Sequence, residues 1–549
     1  MEQGGNAVDA AAAMVFCLNL VEPHYNGIGG EVPVLIYSAR DKKVYAISGQ
    51  GCAPQTMTID WFQRHKLDLI PGDGLLPAMV PAVVGTWAEA VARFGTMRFA
   101  QILQPALELA ETGYPVYPDL RGGLAYNARR ISEHYPATAQ IYLRNGTPPA
   151  VGELLRNPDW AQVLKRMIAA EKRVQGRVAG IEAACADFYR GETAQRIAEF
   201  VANTAVPDET GQPHTGFLTT ADLAGWHATV EEPASFNYRG YDVYKCPPWS
   251  QGPVFLQQLA ILQGYDLPAL GHNSSAYIHT WIECAKLAFA DREAYYGDPN
   301  FDKVPLELLL SEKYNAERRQ LIGAHASREL RPGNPPAYLH APQDVAADNH
   351  SARVHANDTT HCDAIDQWGN MVAATPSGGW IQSSPVIPGL GFCLGTRGQM
   401  FYLNPKRPNA LQPGKRPRTT LTPSLVTKDG QPYMVFGTPG GDQQDQWTLQ
   451  FFLNVVEFGM DLQEAIDAPT IHTTHFPSSF HPRPAEPNRM YVEERIAPAI
   501  RQELTARGHN VGVTGAWSNG RVLAIRINQH GTLEGAASPR AMMAYALGW

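Results

Sequence analysis

The residue best placed to do chemistry is Thr359, in the run Asp358-Thr359-Thr360-His361-Cys362. Residues 361–365 alternate, 366–370 supply a turn around Gly369, and 371–375 return apolar, which is the pattern of a β-hairpin. The polar stretch before it, with Pro335, Pro336 and Pro342, reads as an exposed, cleavable loop. A cut between Asp358 and Thr359 would leave Thr359 with a free α-amine beside its own hydroxyl. Such an amine titrates at about 7.7–8.0, so near neutral pH it can take the hydroxyl's proton. Nucleophile and base would then belong to one residue. Thr-Thr is also ordinary strand filler, and this stretch alone leaves both readings open.

Several elements could position that threonine. Four two-strand units are expected, pairing 32–38 with 43–48, 361–365 with 371–375, 424–427 with 433–437, and 521–528 with a return at 535–537. Short polar turns such as Asp41-Lys42-Lys43 and Lys428-Asp429-Gly430 join them. Between Pro81 and about Leu330 the spacing is mostly helical, over 87–93, 99–111, 160–170, 192–202, 253–262 and 276–295. Thr220-Ala221-Asp222 ahead of Leu223 marks a helix start. Strands at both ends with helices between predict one mixed α/β domain that recruits both termini.

Residues 7–21 form the one long apolar run. It is too short to span a bilayer, and Glu2 rather than a basic cluster precedes it, so neither a membrane span nor a signal peptide is expected. Asp9 within it points to a helix packed on a sheet. The 549 residues carry a formal charge of -8 and no basic cluster interleaved with aromatics, which disfavours a nucleic-acid partner. The basic stretch 406–418 reads as a solvated loop, or as a cationic loop that attracts anionic substrates. Seven scattered cysteines form no CxxC pair, so neither zinc nor a disulfide framework is expected, and no cofactor. Cys362, close to Thr359, reads as a buried packing residue. This usage fits a reducing compartment, and a cytoplasmic location is the expectation.

Ordered blocks along the whole chain resemble the γ-glutamyltransferase family of N-terminal-nucleophile hydrolases. They are GGNAVDAAAA from Gly4, VEPHYNGIGG from Val21, YRGYDVYKCPPWSQG from Tyr238, ADREAYYGDPNF from Ala290, TTHCDAID from Thr359, KRPRTTLTPSLV from Lys415 and FGTPGGD from Phe436. The resemblance implies a four-layer αββα sandwich. A large-subunit region, 1–358, and a small-subunit region, 359–549, would form it jointly after self-cleavage at Asp358-Thr359. It further implies a heterodimer of fragments, with further dimerisation left open. Family members carry a segment ahead of this first helix that supplies a core strand; Met1 stands inside the expected block, so the family start is expected to be missing here or miscalled.

Site roles follow from the resemblance residue by residue. Thr359 takes the nucleophile's place and Ser377 that of a second hydroxyl bonded to it. Gly440 and Gly441 match the turn whose N–H groups form an oxyanion hole, a role that suits residues without Cβ. Thr419 and Thr420 match the hydroxyls that bind the substrate carboxylate. Other positions depart from the family pattern. Gln50 stands where an arginine grips the glutamyl α-carboxylate, Gly379 replaces an asparagine, Met400 falls on the aspartate that holds the α-ammonium, and Arg397 replaces a Gln or Glu. The expected pocket accepts an anion and not a zwitterion, with Arg397 as either its cation or a surface arginine.

The expected activity is that of a self-processing threonine amidohydrolase on a small carboxylate-bearing amide. Divergent members of this kind include oxamate amidohydrolase and cephalosporin or glutaryl acylase-like proteins, and the chain resembles the first most. The alternatives are a γ-glutamyl transpeptidase or glutathione hydrolase with an altered pocket, and a non-catalytic fold used for binding.

Overall fold

Asn6 starts the first helix, α1 (Ala7–Val21). Its side chain accepts from the N–H groups of Val8 and Asp9, and the Asp9 carboxylate accepts from the Asn6 N–H in return. Asp9 also accepts from the N–H groups of Thr96 and Met97. That ties α1 to the connection between α2 (Val83–Phe94) and α3 (Phe99–Thr112). A computed structural model of the chain describes residues 1–334, 358–540 and 543–548. The proline-bearing stretch read as a cleavable loop lies in 335–357, outside the described residues.

Eleven strands build two main sheets. In chain order they are β1 (Val34–Ser38), β2 (Lys43–Ile47), β3 (Val230–Glu231), β4 (Ala234–Tyr238), β5 (Tyr241–Lys245), β6 (Cys362–Ile365), β7 (Met371–Ala374), β8 (Ser424–Lys428), β9 (Gln431–Gly437), β10 (Leu523–Ile527) and β11 (Leu533–Ala537). The first sheet has the order β6-β7-β1-β2-β3 and the second β11-β10-β9-β8-β5-β4. Period-two patterning sorts their side chains into layers. Leu35, Tyr37, Met371 and Ala373 of the first sheet meet Leu425, Val435 and Ile525 of the second. Val34, Ile36, Val372 and Ala374 face the other way, into the core shared with α1, α2 and α3. On the far side Val426, Met434 and Phe436 pack with α4 (Pro253–Leu262), α5 (Ser275–Tyr295) and α6 (Gln444–Val456). The architecture is the αββα sandwich.

All four expected hairpins form, with ends shifted by a few residues. In the β8–β9 turn Asp429 and Gly430 both have positive φ, which matches the right-handed strand twist. The helix start near Thr220 is a capping box between Thr219 and Asp222. Two features were not anticipated. β4 and β5 add a hairpin to the second sheet, and a separate small sheet joins Ile471–Thr473, Arg489–Glu493 and Asn510–Thr514. Among the described residues no helix is long and apolar enough to cross a membrane.

The basic stretch near 406–418 is a correction. Lys415, Arg416 and Arg418 are buried, and each meets a distant carboxylate: Lys415 with Asp302, Arg416 with Asp298 and Glu231, Arg418 with Glu293. Charges removed from water need such partners, so these three form neither a solvated loop nor a free anion trap.

Candidate active site

The hairpin β6–β7 brings Thr359 and Ser377 together just beyond its paired ends. The two residues form a single antiparallel bridge, and Ser377 forms another with Glu31, which precedes β1. Thr359 Oγ1 and Ser377 Oγ lie 3.1 Å apart, and both residues are buried. The carbonyl oxygen of Asp358 accepts from Trp380 Nε1 at 2.8 Å and from Ser377 Oγ at 3.3 Å. The peptide bond between Asp358 and Thr359 therefore has a hydroxyl beside it and two donors on its oxygen. Donors so placed polarise a carbonyl.

Ser377 is itself held. Arg397 Nη2 donates to Ser377 Oγ at 2.8 Å, and Arg397 pairs with the Glu31 carboxylate at 2.5 Å. Its guanidinium also lies over the rings of Trp380 and Phe480. The side chains of Arg397 and Glu31 are only 1% and 3% exposed, so this is no surface arginine. Nor is it an uncommitted cation, because Glu31 already neutralises it; Nη1 alone has no partner. The structure thus places Arg397 between the Glu31 carboxylate, which meets its charge, and the Ser377 hydroxyl, to which it donates.

The turn at Gly437–Gly441 closes on the same place. Gly441 sits against Phe480, and Phe480 clusters with Trp380 and Met400. Gly440 and Gly441 have φ of 126° and 56°, and an added Cβ would lie 2.2 Å from the Trp447 ring and 2.9 Å from the Phe480 ring respectively. Only glycine fits this backbone without strain. Asp442 anchors the turn by accepting from Arg292 and from the N–H and hydroxyl of Ser479. Neither glycine N–H bonds to another described residue, so both remain free to donate.

Gln50 is buried at the same end of the first sheet. It donates to the Gly51 carbonyl at 3.3 Å, and its Oε1 has no partner. Thr419 Oγ1 accepts from the Leu421 N–H, whereas Thr420 Oγ1 is buried without a partner. Met400 is fully buried in its apolar cluster and offers no anion for an ammonium group. Gly379 has φ of 67°, and a Cβ there would approach the Gly30 backbone nitrogen to 3.1 Å, so the close backbone packing leaves little room for a side chain.

Four further residues matter that sequence reasoning missed. Trp380 donates to the Asp358 carbonyl and Glu31 holds Arg397. Arg521 Nη2 meets the Asp358 carboxylate at 2.7 Å and stacks over Tyr25. Glu22 accepts from Thr360 Oγ1, which Asn26 Nδ2 also contacts at 3.2 Å. Burial pushes the Glu22 carboxyl up to about 7, with the Asp358 charge adding to the rise. Burial likewise pushes the Cys362 thiol far up, which suits a packing residue and not a nucleophile.

The family model for gamma-glutamyltranspeptidase matches residues 1–547. The chain belongs to the γ-glutamyltranspeptidase family. As a family member it is an amidohydrolase of the N-terminal-nucleophile type. The glutathione hydrolase-like YwrD proenzyme of Bacillus subtilis is 32% identical, over 98% of this chain and 94% of that protein. The solved structure of LmbA2991HD is 47% identical with a TM-score of 0.94, covering 100% of this chain and 95% of that one. The cephalosporin acylase of Bacillus halodurans is 31% identical with a TM-score of 0.83, covering 100% of this chain and 92% of the other.

Proposed function

We propose that this family member cuts itself between Asp358 and Thr359 and then hydrolyses a small amide whose acyl part carries a carboxylate and no ammonium group, oxamate being the shortest. The supporting observation is the set of contacts on one peptide bond, with Thr359 Oγ1 and Ser377 Oγ 3.1 Å apart and the Asp358 oxygen held by Trp380 and Ser377. In the cut, Thr359 Oγ bonds to the Asp358 carbonyl carbon, the C–N bond breaks, and the nitrogen keeps the proton that left Oγ. Water then cleaves the ester. The fragments 1–358 and 359–549 remain together as a heterodimer.

In turnover the α-amine of Thr359 takes the Oγ proton as Oγ attacks the substrate carbonyl. The oxyanion faces the N–H groups of Gly440 and Gly441, and the leaving nitrogen takes the proton from the α-ammonium. Water, with the same amine as base, releases the acid. Thr420 Oγ1 is an available donor for the substrate carboxylate.

The name glutathione hydrolase-like, carried by one relative, favours a γ-glutamyl substrate instead. Against it stand Met400 and Gln50, which leave an α-ammonium and an α-carboxylate without their charged partners. Burying an unpaired charge costs several kcal/mol, roughly orders of magnitude in catalytic efficiency. The test is denaturing electrophoresis with N-terminal sequencing, followed by assays on oxamate and on γ-glutamyl anilides. A second fragment beginning at Thr359 and faster hydrolysis of the acid amide are expected. A different new N-terminus, or γ-glutamyl compounds as the best substrates, rejects the proposal.

A further inference from the structure

We infer that Arg521 is the cation that receives the substrate's carboxylate in the cut enzyme, at the position the Asp358 side chain holds before the cut. It sets the length of the acyl group, favouring a carboxylate two carbons from the amide carbonyl, as in succinamate. This rests on the self-cleavage and acid-amide reading above and adds to it the residue and the chain length.

The argument begins with what Asp358 is to Thr359. Its carbonyl is the acyl group of the first ester that Thr359 would form, and its side chain carries a carboxylate two carbons, Cα and Cβ, from that carbonyl. The chain's own scissile bond is thus an amide of a succinyl-type acyl group. The structure holds both ends of that group at once. Trp380 Nε1 and Ser377 Oγ take the carbonyl oxygen, and Arg521 Nη2 takes the carboxylate at 2.7 Å. A second acyl group placed on Thr359 Oγ with its carboxylate at the same distance meets the same guanidinium.

Arg521 also suits the role better than the other cations described here. Arg397 is sealed from solvent against Glu31, and Lys415, Arg416 and Arg418 each meet a carboxylate from a distant part of the chain. The side chain of Arg521 is 34% exposed and that of Asp358 20%, so the pair is in partial contact with solvent, unlike the sealed pair of Arg397 and Glu31. Its backbone N–H donates to Thr438 Oγ1 at 2.9 Å, which fixes Arg521 to the turn that carries Gly440 and Gly441. Tyr25, beneath the guanidinium, donates its own hydroxyl to Asp119 at 2.5 Å.

The cut also gives Asp358 a reason to leave. Hydrolysis converts its amide carbonyl into a second carboxylate on the same residue. Glu22 and Asp119 already lie close enough to interact with this place electrostatically. Two negative charges on one residue beside these carboxyls, shared by one guanidinium, repel one another. Release of Asp358 removes the carboxylate that pairs directly with Arg521 and leaves the more distant charge of Asp119 near its guanidinium.

The experiment uses wild-type, Arg521→Met and Arg521→Lys enzyme, each shown by electrophoresis to be cut. kcat/KM is measured for oxamate, malonamate, succinamate and glutaramate, and for butyramide as the uncharged counterpart of succinamate. Succinamate is expected to lead the acid series. Arg521→Met should lower the succinamate-to-butyramide ratio by about 10- to 100-fold, the range for a hydrogen bond to a charged group, and mainly through KM. Arg521→Lys should retain part of it. A cut, active enzyme whose ratio is indifferent to Arg521→Met overturns this inference alone; a chain that stays whole, or prefers γ-glutamyl compounds, overturns the underlying reading with it. If Arg521→Met is not cut, product inhibition of the wild type decides. Succinate inhibiting more tightly than oxalate supports the assignment, and equal or reversed inhibition overturns it.

Discussion

Arg397 donates from Nη2 to the Oγ of Ser377 at 2.8 Å while its charge is spent on Glu31. A guanidinium has no acceptor, so Ser377 must receive this bond on its oxygen and direct its own proton elsewhere. The two acceptors within reach are Thr359 Oγ1 and the Asp358 carbonyl. Both take part in the proposed cut.

Ser377→Ala should therefore slow self-cleavage and turnover, each roughly ten-fold or more, the worth of one hydrogen bond to a developing charge. Ser377→Thr keeps the hydroxyl and should be tolerated. Time courses of fragment appearance on gels, with amide hydrolysis by the cut material, measure both. Equal rates in Ser377→Ala would remove this residue from the mechanism.

Arg397→Met should do more than weaken binding of an anion. It strands a buried Glu31 carboxylate, which typically costs about 3–5 kcal/mol, and frees Ser377 to turn. Lower thermal stability and slower self-cleavage are both expected. Adding Glu31→Gln should restore much of the stability and not the cutting rate. If the double variant recovers both, Arg397 does not position Ser377.

Trp380→Phe and Gly441→Val should separate the two reactions. Trp380 Nε1 touches the carbonyl of the bond to be cut, so its loss should slow processing by about 100-fold, the usual worth of one oxyanion donor. Gly441→Val places a side chain against Phe480 on a backbone with φ of 56°, and should reduce turnover more than processing. Single-turnover gels and steady-state assays distinguish them. A reversed pattern would exchange the two oxyanion assignments.

Glu22 should make stability depend on pH in the uncut Thr359→Ala chain, where Asp358 stays in place. The folded carboxyl titrates at about 7, above the ordinary value of 4.5. The folded state therefore holds its proton more tightly, and this contribution is present below pH 4.5 and is lost as pH rises through 7. Melting temperatures between pH 5 and pH 8 should fall less in Glu22→Gln than in its parent. Parallel profiles would show that Glu22 carries no such linkage.

Local signals made a good part of this molecule legible. The helix at Pro253–Leu262 has the bounds that its spacing predicts, and the hairpins around Asp429-Gly430 and Gly369 follow from their turn residues. β4 was missed because only its ends, Ala234 and Tyr238, are buried, while Ser235 and Asn237 between them are exposed. In the small sheet, Arg489–Glu493 pairs in parallel with Asn510–Thr514, which no short-range pattern announces. The site divides in the same way. Thr359, Ser377 and the glycine turn lie in compact motifs. The partnership of Arg521 with Asp358 depends on where the strand register brings distant residues together. Likewise, a run of Lys and Arg reveals charges and not the acids that answer them, so Arg416 looked solvated although Asp298 and Glu231 enclose it.

The strand order has a consequence for the molecule after cutting. β1 pairs with β7 in one sheet and β5 with β8 in the other, so each sheet is stitched across the proposed break. Pulling the two polypeptides apart means unzipping both sheets and opening the core between them, which amounts to unfolding. Cleavage should hardly loosen the native state, yet it changes the order of the reverse reaction. An intact chain refolds by itself, whereas the cut pair must first meet. Recovery after denaturation should then become dependent on protein concentration, and the uncut Thr359→Ala chain should recover equally well when dilute.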